Sequence, residues 1–121
     1  MRAAGFLAAV GMATGLLAAA CARPAAPPGP VHLETERAGA DTRVTLVAPG
    51  LKVNARLKPA LELPDGRVLR FDSTRLTSDS AYFTEPPSAL LAGWHRRLKG
   101  TLRASVCGID EQVCRSITLE I

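Results

Sequence analysis

Two histidines, His32 and His95, are all that this chain offers as a base near neutral pH. Neither stands in a nucleophile motif, so a serine or cysteine hydrolase lacks its positioned base and both read as surface residues. Cysteine occurs three times. Cys107 and Cys114 with His95 lack the paired short spacings of a zinc site, so no metal centre is expected. The few glycines before residue 20 sit in an apolar run, and no glycine-rich phosphate loop exists elsewhere. No cofactor site follows from any motif. Aromatic side chains number five, and none is interleaved with a basic cluster. That pattern, with a net charge of only +4, argues against a nucleic-acid partner. Arg96, Arg97 and Lys99 form the densest basic spot and read as a solvated edge. There is no internal repeat.

What is there begins with a secretory pattern. Arg2 precedes the apolar run Ala3–Ala20, and small residues lead up to Cys21. The run is short for a membrane span and diluted by Gly5, Gly11, Thr14 and Gly15. Residues 1–20 are therefore expected to be a cleaved signal peptide; a permanent span and ordinary cleavage that leaves a free thiol are the alternatives. Leu16-Leu17-Ala18-Ala19-Ala20-Cys21 resembles a lipoprotein lipobox, with Ala18 where leucine usually stands. The resemblance implies that Cys21 becomes the mature first residue and carries a lipid to a membrane. In that family Ala22, rather than aspartate, implies sorting to the outer more than the inner membrane. Residues 21–30 hold Pro24, Pro27, Pro28 and Pro30 and read as an anchor with an extended tether. Loss of Arg2 with the signal lowers the charge to +3, and residues 31–121 form one small domain.

That domain reads as strands. Val44, Leu46 and Ala48 alternate with more polar neighbours, as do Leu51, Val53, Ala55 and Leu57. Pro49-Gly50 separates the two runs. Pro64-Asp65-Gly66 is a turn between Leu61–Leu63 and Arg67–Phe71. Val31 and Leu33 begin an earlier strand. One segment, Ser88–Arg97, has a capping serine and Leu90, Leu91 and Trp94 on one helical face, and is expected to be one or two helical turns or a loop. The whole predicts an all-β, antiparallel sandwich.

The last hairpin is the most specific feature. Leu98, Gly100, Leu102, Ala104 and Val106 form one face; Lys99, Thr101, Arg103, Ser105 and Cys107 form the other. Opposite Cys107 stands Cys114 if Ser105 meets Ser116, Arg103 meets Thr118, Ala104 meets Ile117 and Leu102 meets Leu119. This register matches apolar with apolar and polar with polar. It places both cysteines on the polar face, at the mouth of the turn Gly108–Val113. A disulfide there closes a loop of about eight residues and stabilises by roughly 2.5 kcal/mol in the chain-entropy account. An exposed bond at a turn is open to a partner thiolate. Asp110 and Glu111 in the turn either tune the thiols or solvate the loop.

Val106-Cys107-Gly108-Ile109-Asp110-Glu111-Gln112-Val113-Cys114 resembles the redox hairpin in the amino-terminal domain of the bacterial thiol–disulfide interchange protein DsbD. Asp79-Ser80-Ala81-Tyr82-Phe83 resembles that family's aromatic cap loop. The likeness extends loosely over Val31–Ile121 and implies a small immunoglobulin-like β-sandwich in the periplasm. It implies thiol–disulfide exchange at Cys107 and Cys114 with a thioredoxin-like periplasmic partner, under a cap made by Tyr82 and Phe83. Two readings stay open on the residues alone. One is this exchange domain; the other is a structural or binding lipoprotein with an inert hairpin disulfide, in which Tyr82 and Phe83 are ordinary core aromatics.

Overall fold

The computed structural model describes residues 29–110 and 113–121, and every helix or strand element in them is a β-strand. The signal, Cys21 and the tether up to Pro28, with Glu111 and Gln112 of the turn, lie outside the described residues.

Strands β1 (His32–Ala38) and β2 (Asp41–Val47) form a hairpin through Gly39, whose φ of +66° suits a glycine. Strand β3 (Leu51–Val53) follows a corner at Pro49-Gly50, where the Leu51 amide donates to the Ala48 carbonyl at 3.1 Å. The corner is not a hairpin: β2 and β3 belong to different sheets. Strands β4 (Ala60–Glu62) and β5 (Val68–Arg70) are joined by the expected Pro64-Asp65-Gly66 turn. Asp65 closes it by accepting hydrogen bonds from the Arg67 amide at 3.0 Å and guanidinium at 2.8 Å.

Ser88–Leu91 is strand β6, not a helix. The Leu46 amide donates to the Pro87 carbonyl at 2.9 Å, and Ser88–Leu91 pairs with the free edge of β2, from Thr45 to Thr42. A helical face of Leu90, Leu91 and Trp94 does not form: Leu91 and Trp94 are buried, Leu90 points out, and Gly93 turns the chain with a φ of +63°.

Two sheets result. The first has the order β1-β2-β6. The second is built on β7 (Thr101–Gly108), with β8 (Cys114–Glu120) along one side and β3 and β4 sharing the other. β3 pairs with the carboxyl end of β7 and β4 with its amino end. The alternation from Leu51 to Leu57 predicts one strand, but pairing stops at Asn54. Its side-chain oxygen accepts from the amides of Arg56 and Leu57, which turns the chain outward and leaves Leu57 exposed.

The core fills the space between the sheets. Val44, Leu46 and Leu91 face Leu61, Phe71, Leu102, Ala104 and Val106, with Phe83 and Trp94 closing the ends. Each fully buried Leu or Phe here contributes about 1.5–3 kcal/mol. Gly100 lets β7 approach β4 closely, since a Cβ there would collide with the Glu62 carbonyl oxygen.

Candidate functional site: the hairpin disulfide and its cover

The register of the last hairpin is the one read from the sequence. Leu102 meets Leu119, Ala104 meets Ile117, Ser105 meets Ser116 and Cys107 meets Cys114. Direct cross-strand partners of this kind bring side chains close enough to join. Cys107 and Cys114 are joined by a disulfide, with their Cα atoms 4.2 Å apart.

The two sulfurs have different surroundings. β7 lies between strands, whereas β8 is the edge of its sheet. Cys107 is 1% exposed, and Cys114 is half-buried. The expectation of an exposed pair is thus corrected for Cys107. The polar face of β7 is covered at its carboxyl end: Ser105 and Cys107 are both buried there, while Arg103, further down the same face, is exposed. The disulfide nevertheless sits at the mouth of its turn, with Ile109 at 59% and Val113 at 75% exposure on either side.

Part of the cover is Tyr82. Its hydroxyl lies 3.9 Å from Cys114 Sγ, a long contact in which only the hydroxyl can donate, because a disulfide sulfur carries no hydrogen. Lys52 stands beside Cys107 on the neighbouring strand, and its Nζ lies 4.4 Å from the centre of the Tyr82 ring. Lys52, Tyr82 and the two cysteines therefore form one surface unit. Phe83 does not join it. It turns into the core among Leu46, Leu51 and Val53, and its amide donates to the Val53 carbonyl at 3.1 Å. The alternation of adjacent residues on a bridged segment separates the two aromatics: one faces outward, the other inward.

The loop carrying Tyr82 is closed on itself. The Thr77 amide donates to the Tyr82 carbonyl at 2.9 Å, and the Tyr82 amide donates to Thr77 Oγ1 at 3.2 Å. Asp79 Oδ1 accepts from the Thr77 hydroxyl at 2.6 Å and from the Ala81 amide at 3.1 Å. These bonds hold the Asp79 carboxyl below the usual carboxylate range, the Thr77 hydroxyl most of all, and the Arg56 guanidinium adds a smaller push against the effect of burial. Ser80 turns with a φ of 59°. The loop is fastened to the sheet by the Ala55 amide, which donates to Ala81 at 2.8 Å, and by the bridge between Asn54 and Tyr82.

Neither histidine has a hydrogen bond to a residue of the disulfide site. His32 donates from Nδ1 to the Pro30 carbonyl at 2.9 Å and faces Glu34 at 3.3 Å, which together raise its pKa. His95 Nδ1 accepts from the Arg37 guanidinium at 2.7 Å. No group of three or more His, Cys, Asp or Glu among the described residues could hold a metal.

Sequence reasoning missed Lys52 and the apolar flanks. Lys52 was one polar residue in an alternating strand, and only the pairing of β3 with β7 gives it a place. Ile109 and Val113 did carry a signal, since apolar residues on either side of a polar turn have no core to enter. No family model, curated protein or solved structure matches the chain.

Proposed function

We propose that this chain is an exported, lipid-anchored domain that exchanges electrons with a thioredoxin-like periplasmic partner through Cys107 and Cys114. The observation that carries the reading is the asymmetry of the disulfide. One cysteine is half-buried at a turn flanked by exposed Ile109 and Val113, and the other is buried. A thiolate must approach a sulfur to displace its partner, so Cys114 is the sulfur attacked.

The steps balance as follows. A thiolate of the partner dithiol bonds to Cys114 Sγ, and the Cys107–Cys114 bond breaks, leaving Cys107 as a thiolate. The second partner thiolate then attacks the partner sulfur of the mixed disulfide and releases the Cys114 thiolate. Both domain thiolates take up protons; the partner is oxidised by two electrons and the domain is reduced. Run backwards, the same steps oxidise the domain. Lys52 and Tyr82 flank the reacting sulfurs; the hydroxyl of Tyr82 shields Cys114 until a partner displaces it. Anchoring at Cys21 with a tether through residue 30 places the domain within reach of other periplasmic proteins at the membrane, the outer membrane on the lipobox pattern.

The second reading is a structural disulfide in a binding lipoprotein, and the burial of Cys107 favours it. Single variants separate the two. Exported Cys107→Ala keeps the accessible Cys114 thiol and should trap a mixed disulfide with a periplasmic thioredoxin-like protein. Cys114→Ala keeps only the sealed thiol and should trap far less. If folded Cys107→Ala traps nothing, the bond is structural. Mass spectrometry of the membrane fraction tests the anchor: a diacylated or triacylated Cys21 is expected, and an intact Met1 terminus overturns it.

A further inference from the structure

At the opposite end of β7 from the disulfide, about 20 Å away along the strand, positive charge gathers around the chain's one tryptophan. Trp94 is buried to nine-tenths. The Arg67 guanidinium lies 5.3 Å and that of Arg96 4.9 Å from its ring centre. Arg37 donates to His95 and approaches the Trp94 carbonyl at 3.4 Å. Arg97 and Lys99 complete the group.

The segment that carries these charges is fixed in place. The Thr42 hydroxyl donates to the Trp94 carbonyl at 2.9 Å, and the Gly93 amide donates to Asp41 at 3.2 Å. Two grooves flank it. One runs between Pro64, Asp65, Trp94, Arg96, Arg97 and Lys99; the other lies on the Arg37 and His95 side. Asp65 is already paired with Arg67. Among the described residues, no ion pair engages Arg37, Arg96, Arg97 or Lys99. The indole Nε1 is buried without a hydrogen-bond partner, an uncommon state for a buried donor.

We propose that this end of the sandwich docks an acidic peptide segment of a partner protein, with an apolar side chain set among carboxylates. Guanidiniums match carboxylates as two-pronged donors. The walls of the first groove are the Pro64 ring and the Trp94 indole, which suit an apolar side chain between the charges. A membrane surface is the less fitting occupant. The amino-terminal segment leaves at the other end of β1, where His32 stands opposite Val47, six residue steps or about 20 Å from the Ala38–Asp41 tip beside this patch. The grooves therefore lie at the opposite end of β1 from the point where the described chain begins. This site is independent of the disulfide and of the exchange reaction.

The sole tryptophan makes the site its own reporter. The domain is titrated with the peptide Glu-Leu-Glu-Glu-Leu-Glu while Trp94 fluorescence is followed at low and physiological salt. A saturable change is expected, weakened by salt and absent with Lys-Leu-Lys-Lys-Leu-Lys. Arg97→Glu should weaken binding by about tenfold or more, because it sets like charge against the peptide. Arg115→Glu, the same charge change on β8 at the disulfide end, should leave binding within about twofold. Equal losses in both variants reduce the effect to net charge and overturn the proposal. So does saturable binding of inorganic polyphosphate or of phosphatidylglycerol vesicles in place of the peptide, and so does the absence of any saturable change.

Discussion

β7 and β8 share a hairpin, a register and an alternation of polar and apolar residues, yet their environments differ. β7 has neighbours on both sides and is buried on both faces from Ala104 to Cys107. β8 is an edge strand on which no residue is fully buried. Two cysteines joined to each other thus occupy a buried site and a half-buried one. Period-two patterning tells which face a residue takes; only the neighbouring strands tell whether that face is covered.

The comparison is tested most strongly in the core. Leu102→Ala on β7 removes a fully buried side chain and is expected to cost about 2–5 kcal/mol. Leu119→Ala, its cross-strand partner on β8, is only partly buried and is expected to cost about half as much or less. Denaturant unfolding measures both, and equal losses would break the contrast between the strands.

The cysteines give a finer test. Cys107→Ser and Cys114→Ser lose the same disulfide, so the loss of the staple, about 2.5 kcal/mol, is common to both. Their difference isolates the environment. A hydroxyl in the sealed Cys107 site is expected to make Cys107→Ser less stable by about 1–2 kcal/mol. If Cys114→Ser is the less stable, the asymmetry is inverted.

The cover on Cys114 should respond to Asp79. Asp79→Ala removes the acceptor that holds Thr77 and Ala81, so Tyr82 is held less firmly and thiol attack on Cys114 should quicken severalfold. Acid loosens the same loop, read as a loss of stability and not as faster attack, because the attacking thiol is protonated at such pH. The folded carboxyl lies below its ordinary 3.8, so its contribution is present above that pH and is lost as pH falls through the folded value. An unchanged attack rate in Asp79→Ala would show that the loop does not govern access.

The smallest effect is expected at His32. Its pKa is raised from 6.5 by the Pro30 carbonyl first and Glu34 second, so its contribution is full below 6.5 and fades as pH rises through the raised value. The wild type should lose a little stability over that range, and His32→Ala should not.

Much of the fold was legible because it is local. The Cys107–Cys114 register followed from two alternating runs and one turn, and the Pro64-Asp65-Gly66 hairpin from its turn residues. What stayed hidden depends on distant partners. The end of β3 rests on how Asn54 uses its side chain, which alternation through Leu57 masks. Ser88–Leu91 has helical spacing but becomes a strand because β2 offers an open edge. Cys107 is buried on a strand flanked by β3, which is far away in sequence. For the candidate site, the pairing of the two cysteines was legible in the alternation of the last hairpin. Phe83 was assigned with Tyr82 because a run of letters does not show which of two adjacent aromatics faces the core.

The reduction potential of the Cys107–Cys114 bond tests the exchange reading most directly. The folded domain is equilibrated in glutathione and dithiothreitol buffers, and the fraction reduced is read by thiol alkylation and mass spectrometry. An exchanging bond is expected to have a potential above about −300 mV. A potential below about −300 mV would mark the bond as structural and contradict the exchange account.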